Sequence, residues 1–361
     1  MLILLFPNVR YHENSWWGLF PKRIAERAAE MGLDCKVLYM GANSPLPAHV
    51  SAETVSVGKL YDPCWCYRTI RRMAGDAERF VVHQHTVPIH TWLWPVCKLW
   101  GKRCRTVFTD HDPPNPMDGR AQAIKRVVKS TLQKTVYYPD WIVPVSQYNA
   151  NVWASHFGSR SVKPIINGVD FPDQMRVKQA PQGGDWVFGY LGRLMEKKGI
   201  QPFLLAAKEV IAAGDSVRFV LAGSGPDEAL IQSFINDNNV GGRIQFMGPT
   251  TDLKAYYSDV HALIVPSQYE DPCPLVSIEA MGYGVPAIYT RRGGLPETQV
   301  DGETGIMVER GTPEEIVSAI RRMICDPEVY ERMSAAALRR ARGDSRWSGW
   351  WANIWTFTKC C

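Results

Sequence analysis

The sequence predicts an α/β protein built as two parallel-sheet domains, and three observations carry that expectation. Short apolar runs alternate with helical stretches along the 361-residue chain, the rhythm of strands joined by crossover helices. The rhythm breaks once, at a polar stretch rich in Pro, Gly and Gln, and then starts again. The composition, 45% hydrophobic and 21% charged, is ordinary globular material and enough for two full cores.

Five runs in the first half read as buried strands, because each is short and has apolar residues at its centre. They are MLILLF (1–6), CKVLYM (35–40), RFVVHQ (79–84), RTVFTD (105–110) and WIVPVS (141–146), with PKRIAERAAEMG (21–32) and AIKRVVKSTLQK (123–134) as helices between them. In the second half the strands are WVFGYLG (186–192), VRFVLAG (217–223), IQFMG (244–248), ALIVPS (262–267) and PAIYT (286–290). Helices are expected over QPFLLAAKEVIAAG (201–214) and PLVSIEAMGYG (274–284). Residues 169–184 are the expected linker, dividing a first domain at 1–168 from a second at 185–343. In the tail, Trp347, Trp350, Trp351 and Trp355 fall on one face of a closing helix over 344–361.

Met1 to Pro7 is apolar but too short for a membrane span and has no basic lead-in, so a cytoplasmic protein is expected. Nine scattered cysteines suit reduced thiols, and Cys64, Cys66, Cys360 and Cys361 lack the spacing of a zinc site. Lys and Arg outnumber Asp and Glu by 23 to 14 over residues 1–183, whereas residues 184–361 reverse this, 18 to 22. A basic first half fits an anionic membrane surface or a phosphorylated ligand, or only a solvated surface. No nucleic-acid partner is expected.

Two stretches of the second half carry candidate chemistry. In GYLGRLMEKKGIQPFLLAA a strand ends at Gly192, Arg193 and Lys198 follow, and a helix with Pro202 in its first turn begins. A glycine turn, two cations and fresh helix amides make a phosphate site, although both cations read equally as solvated loop residues. In PSQYEDPCPLVSIEAMGYGVP, Pro272 and Pro274 stiffen a turn that frees the amides of Leu275 and Val276 to open a second helix. Glu279, one turn inside, suits a vicinal diol such as a ribose, and Asp271, just before the turn, suits a sugar. Gly293, Gly294 and Gly305 in RRGGLPETQVDGETG permit tight loops at strand ends, where open α/β sheets take ligands.

GRLMEKKG, LAGSGP, FMG, PSQYEDPCPLVSIEAMGYGVP and GGLPE occur in an order and spacing that resemble the retaining glycosyltransferases of family 4, the glycosyl transferases group 1. VSQYNANVWASHFG, PIINGVD and FTDHDPPN extend the resemblance through the first half. It implies the GT-B fold, two Rossmann-like parallel-sheet domains facing across a cleft, with the closing helix packed back on the first domain. It implies that Arg193 and Lys198 bind the diphosphate of a nucleoside-diphosphate-sugar donor, with UDP or GDP as the nucleotide. Glu279 would take the ribose, Asp271 the transferred sugar, and His111 would stand near the reacting carbon. Gly192, Pro274, Leu275 and Val276 would join the donor site, and backbone from Gly223 to Gly225 and from Met247 to Gly248 would line the base.

The sequence departs from the family twice. The acidic pair is usually two glutamates, whereas here the matching spacing places Asp271 opposite Glu279, with Glu270 one residue earlier. The glycine-rich loop after the first strand is replaced by PNVRYHENSWWG, whose His12, Trp16 and Trp17 are acceptor candidates or core residues.

The family mechanism implies that the leaving diphosphate helps deprotonate the acceptor on the same face, with no cofactor and no metal. The DHD letters at Asp110 to Asp112 only mimic a metal motif of another fold. A glycan or lipid-linked glycan acceptor is expected. Lys125, Arg126 and Lys129, opposed to Ile124, Val128 and Leu132 on a helical wheel, form a basic face that suits anionic lipid or plain solvent. A dinucleotide oxidoreductase is excluded, since GSGPDE breaks the G-x-G-x-x-G pattern. A sugar-nucleotide epimerase or phosphorylase of this shape, and a noncatalytic sugar-nucleotide binder, stay open.

Overall fold

The computed structural model describes residues 1–11, 16–42, 51–54, 57–85, 91–111, 138–157, 161–169, 171–172 and 174–344. The chain divides into two compact units, the first beginning at Met1 and the second at Ile166.

The first unit carries strands β1 (Leu2–Tyr11), β2 (Cys35–Ala42), β3 (Ser51–Thr54), β4 (Phe80–His85), β5 (Cys104–Thr109) and β6 (Trp141–Ile142). Helices α1 (Trp16–Glu30), α2 (Pro63–Ala74), α3 (Leu93–Cys97) and α4 (Gln147–Phe157) connect them. All pairings are parallel, in the order β3-β2-β1-β4-β5-β6. Ile3, Val82 and Phe108 are buried in the sheet, and α2 packs Ile70 and Met73 against the same core. Asp62 starts α2 by accepting from the amides of Cys64 and Trp65, with Pro63 at the first helical position.

The second unit repeats the plan with β7 (Trp186–Leu191), β8 (Val217–Ala222), β9 (Ile244–Gly248), β10 (Ala262–Val265), β11 (Ala287–Thr290) and β12 (Gly305–Val308). Its helices are α5 (Ile200–Ala212), α6 (Glu228–Asp237), α7 (Leu253–Asp259), α8 (Leu275–Gly282), α9 (Leu295–Thr298), α10 (Pro313–Ile324) and α11 (Pro327–Asp344). The order β12-β11-β10-β7-β8-β9 is the first sheet's order again, with the chain reversing direction between β7 and β10 as it does between β1 and β4. In α5, Ile200, Phe203, Leu204, Ala207 and Val210 are buried at helical spacing. Burying a side chain such as Phe203 contributes about 1.5–3 kcal/mol.

Every expected strand is present, and two edge strands, β3 and β12, were not foreseen. Both are short, SAET and GIMV, and their pairing comes from the neighbouring strand. Residues 174–184 of the segment expected as a linker are irregular backbone, but they belong to the second unit. Lys178 donates from its amide to Ser334 Oγ (2.7 Å) and from Nζ to the carbonyls of Tyr257 (2.6 Å) and Ser258 (2.7 Å). Trp16 and Trp17, expected in a loop, instead begin α1, since β1 runs on to Tyr11. The expected helix at 123–134, its cations Lys125, Arg126 and Lys129, His12, and the closing tryptophan segment lie outside the described residues.

Cys66, Cys97, Cys104 and Cys273 are buried free thiols, and burial pushes Cys66 up to about 12. Among the described residues, no helix is long and apolar enough to cross a membrane.

Candidate functional site

The carboxyl ends of β7, β8 and β9 are laced together through glycines. The Gly192 amide donates to Ala222 O (3.1 Å), the Leu194 amide to Ser224 O (2.9 Å) and the Gly223 amide to Gly248 O (2.9 Å). Gly223 has φ +145°, and a Cβ there would overlap Gly192 O; a Cβ on Gly225 would overlap Leu194 O. Only glycine permits this approach of backbones. Arg193 leaves this lattice exposed, and its guanidinium has no ion-pair partner among the described residues. Met247, at the end of β9, is 48% exposed.

Beyond Arg193 the chain makes a 3-10 turn, Glu196–Lys198, closed by Gly199 at φ +81°. A Cβ at Gly199 would overlap Pro266 O, and the Gln268 amide donates to Lys197 O (2.8 Å), so the turn is pressed against the end of β10. This packing carries Lys198 to the proline knuckle, where Nζ lies 2.5 Å from Asp271 Oδ2. Asp271 is only 4% exposed. The ammonium groups of Lys197 and Lys198 also sit 4.5 and 5.0 Å from the centre of the Tyr269 ring, whose face attracts cations.

The neighbouring acids point to different partners. Glu270 Oε2 accepts from the Gly293 amide (2.6 Å), and Oε1 lies 3.4 Å from Arg292 Nη1. The Gly294 amide donates to the Asp271 carbonyl (2.7 Å), and Gly293 has φ +53° where a Cβ would overlap Asp271 backbone. The glycine pair thus binds the knuckle from below, leaving the Asp271 carboxylate, not that of Glu270, against Lys198.

Pro274 precedes α8 without a side-chain cap, and the amides of Leu275 and Val276 have no acceptor among the described residues. Buried polar groups hold this end in place. Ser277 Oγ donates to Pro274 O (2.8 Å) and contacts Thr298 Oγ1 (2.8 Å), while Gln299 Nε2 donates to Ser277 O (2.8 Å). Four residues into α8, Glu279 is half-buried, its carboxylate accepts no hydrogen bond among the described residues, and burial raises it to about 7.

Arg193, Lys198, Asp271 and Glu279 therefore all follow the carboxyl ends of β7 and β10, the two strands at which the sheet reverses direction. In such folds the crevice beyond that reversal is where ligands bind. The uncapped amides, the free guanidinium and the ammonium supply donors for an anion, and Glu279 supplies an acceptor.

In the first unit, Asp110 and His111 follow β5. Asp110 accepts from Trp153 Nε1 (2.8 Å), which ties the turn to α4. His111 Nε2 lies 3.0 Å from His85 Nδ1, and His83 Nε2 lies 2.7 Å from Thr109 Oγ1. Burial lowers His83 and His111 to about 3 and holds His85 well below its ordinary value, so all three rings are neutral at pH 7. His83 and His85 went unnoticed in the sequence, although their spacing of two on a buried strand was the signal that both share one face. Among the described residues, no three His, Cys, Asp or Glu side chains are grouped as ligands of a metal ion.

Two like-ordered parallel sheets make a doubled Rossmann-like frame, and uncapped amides, two cations and two acids lie at the reversal of the second. Comparison with known proteins makes this specific: residues 21–171 match the family Glycosyltransferase Family 4 and residues 172–340 match Glycosyl transferases group 1, and the chain belongs to that family. It is similar to glycogen synthase of Mycobacterium tuberculosis, 27% identical over 192 residues, covering 53% of this chain and 46% of the relative. It is also similar to the GDP-mannose-dependent alpha-(1-6)-phosphatidylinositol monomannoside mannosyltransferase of Mycolicibacterium smegmatis, 26% identical over 238 residues, 61% of this chain and 62% of that one. The match thus spans about half the length of the first of these relatives. Anabaena Alr3699/HepE in complex with UDP superposes with a TM-score of 0.77 at 16% identity, over 100% of both chains, and the fold is GT-B.

Proposed function

We propose that this chain is a retaining glycosyltransferase that moves a sugar from a nucleoside-diphosphate-sugar, UDP or GDP, to a glycan or lipid-linked glycan in polysaccharide or glycoconjugate biosynthesis. The observation that carries this reading is the convergence of Arg193, Lys198, the uncapped start of α8 and Glu279 at the reversal of the second sheet. Arg193 and the amides of Leu275 and Val276 take the diphosphate, Lys198 bridges it to Asp271, and Asp271 meets the sugar. Glu279 accepts from the ribose hydroxyls, and Gly223, Gly225 and Met247 border the base. His111 acts near the anomeric carbon.

In the reaction the bond from the anomeric carbon to the diphosphate oxygen breaks, and the bond to the acceptor oxygen forms on the same face. The acceptor proton passes to the departing diphosphate, whose charge Arg193 and Lys198 stabilise. No metal is needed in this scheme. The GDP-mannose dependence of the mannosyltransferase relative and the UDP bound to the structural neighbour support the two nucleotides named. The excess of basic residues in the first half supports a peripheral contact with an anionic membrane on the cytoplasmic side, with Lys125, Arg126 and Lys129 as its cations. Flotation with anionic vesicles tests that contact; equal recovery of a variant lacking these charges would remove it.

A thermal-shift screen with UDP, GDP, ADP, dTDP and CMP, followed by the sugar conjugates of any hit, tests the main reading. One diphosphate should raise Tm, one sugar should enlarge the shift, and Glu279→Ala should reduce it. Turnover of that conjugate without acceptor, or with free phosphate, would redirect the reading to an epimerase or a phosphorylase. Binding without any turnover would leave a noncatalytic binder.

A further inference from the structure

We infer that the exposed face made by the start of α2 and the turn after α3 docks on an anionic lipid bilayer, with Leu99 and the rings beside it entering the headgroup layer. This contact needs neither sugar transfer nor the cations Lys125, Arg126 and Lys129.

Among the described residues eight large apolar side chains are exposed, and four of them, Tyr61, Tyr67, Trp92 and Leu99, belong to this face. Single exposed apolar residues are ordinary on a protein surface, whereas a cluster marks a contact. Leu99 is 70% exposed in the 3-10 turn Lys98–Arg103. It lines a shallow open groove of about 520 Å³ together with Pro63, Cys64, Tyr67, Arg68 and Val96. The Trp92 amide donates to Leu60 O (3.1 Å), which brings the chain at Trp92 against the chain at Tyr61.

The face is firmly backed. Tyr67 stacks on Trp100 with 5.4 Å between ring centres, and Trp100 meets the core residue Phe80 edge-on at 5.9 Å. Side chains already held in this way lose little freedom on binding.

Charge decides the occupant. Residues 57–103 carry eight Lys and Arg against three Asp and Glu. Of these acids, Asp62 is taken up by the amides of Cys64 and Trp65, and Asp76 and Glu78 follow the far end of α2. Arg68 lines the groove, and Lys59 and Lys102 are exposed. Lys98 and Lys102 flank Leu99 in one turn. Lysine is depleted from protein–protein interfaces, but beside an anionic leaflet it is favoured. Tyrosine and tryptophan suit the same place, since their rings lie among the headgroups with the polar tip in water.

The test uses the full chain with vesicles of phosphatidylcholine containing phosphatidylglycerol, compared with pure phosphatidylcholine. Binding is read by flotation, and the face by labelling with a water-soluble maleimide followed by peptide mass spectrometry. Cys64, in the groove, and Cys325, after α10 in the second unit, are both exposed thiols, so one reports and the other serves as reference. The wild type should float with the anionic vesicles only, and these should slow labelling of Cys64 about tenfold or more while Cys325 changes little. Leu99→Asp, and Arg68→Gln combined with Lys102→Gln, should each lower vesicle binding about tenfold. All three side chains are exposed, so their loss leaves the core intact. Flotation that neither variant weakens, with Cys64 still reactive, would place the lipid contact elsewhere and overturn the inference. A wild type that does not float would overturn it without any variant. Protection of Cys64 that grows with protein concentration in the absence of lipid would give the face to a second copy and overturn it too. The donor screen decides the sugar-transfer reading separately from all of these outcomes.

Discussion

Lys198 Nζ and Asp271 Oδ2 are 2.5 Å apart although 73 residues separate them, and the carboxylate belongs to a residue only 4% exposed. The ammonium is thus the counter-ion of a buried acid and, in the proposed site, a donor to the diphosphate. Two roles at one residue make its removal distinguishable from that of its neighbour Arg193.

Lys198→Ala should lower both stability and ligand affinity. It strands a buried carboxylate, at a cost of about 1–3 kcal/mol, and removes a charged donor from the diphosphate. Arg193→Ala should weaken binding of the cognate nucleotide by about tenfold or more while shifting stability by no more than about 0.5 kcal/mol. Calorimetry and urea unfolding on both variants check this. Unchanged nucleotide affinity in both would move the phosphate site elsewhere.

Glu279→Gln should change how stability depends on pH. Burial raises this carboxyl to about 7 from an unfolded value of 4.5, so the native state holds the proton more tightly and loses stability as pH climbs through that window. The variant should flatten the curve there and melt higher than wild type at about pH 8. Because the ionised form is the better acceptor for two ribose hydroxyls, nucleotide affinity in the wild type should rise through pH 7. Melts and titrations at several pH values decide both points.

His83→Gln should act in the opposite direction. The folded pKa of about 3 lies below the unfolded 6.5, so the unfolded chain gains a proton that the native chain excludes. Wild-type stability should therefore fall as pH drops below about 6.5. The loss between about pH 7.5 and pH 5 should be smaller in the variant, and an equal loss would show that His83 takes no part.

Gly225→Ala should cost about 1–3 kcal/mol, because the new methyl overlaps the Leu194 carbonyl. Gly223→Ala adds backbone strain at φ +145° to its overlap with Gly192 O. Urea midpoints measure both. Full stability in either variant would mean that the loops at the ends of β7 and β8 can part without penalty.

Much of this was legible along the chain. The ten expected strands are all present because a parallel strand inside a sheet has a short apolar centre bounded by polar or turn residues, and such runs are visible without any partner. The start of α8 was legible for a similarly local reason: proline cannot continue a hydrogen-bonded turn, so Pro274 marks where free amides begin. β3 and β12 escaped because short edge strands are selected by their neighbours more than by their own residues. His85 escaped because nothing local to HQH says that the next strand will bring His111 within 3.0 Å.

What the sequence determined by itself is the two-sheet plan, the position of the glycine turns and the family, all of which rest on patterns a few residues long. Which acid faces Lys198 was decided only in three dimensions. Asp271 and Glu270 are adjacent and chemically alike, but Gly293 and Gly294 bind the knuckle so that Glu270 accepts from the 293 amide and Asp271 turns to the ammonium. The same holds for the histidine row, whose hydrogen bond exists because β4 and β5 are in register. Such choices depend on contacts between segments far apart in the chain, and only packing brings those segments together.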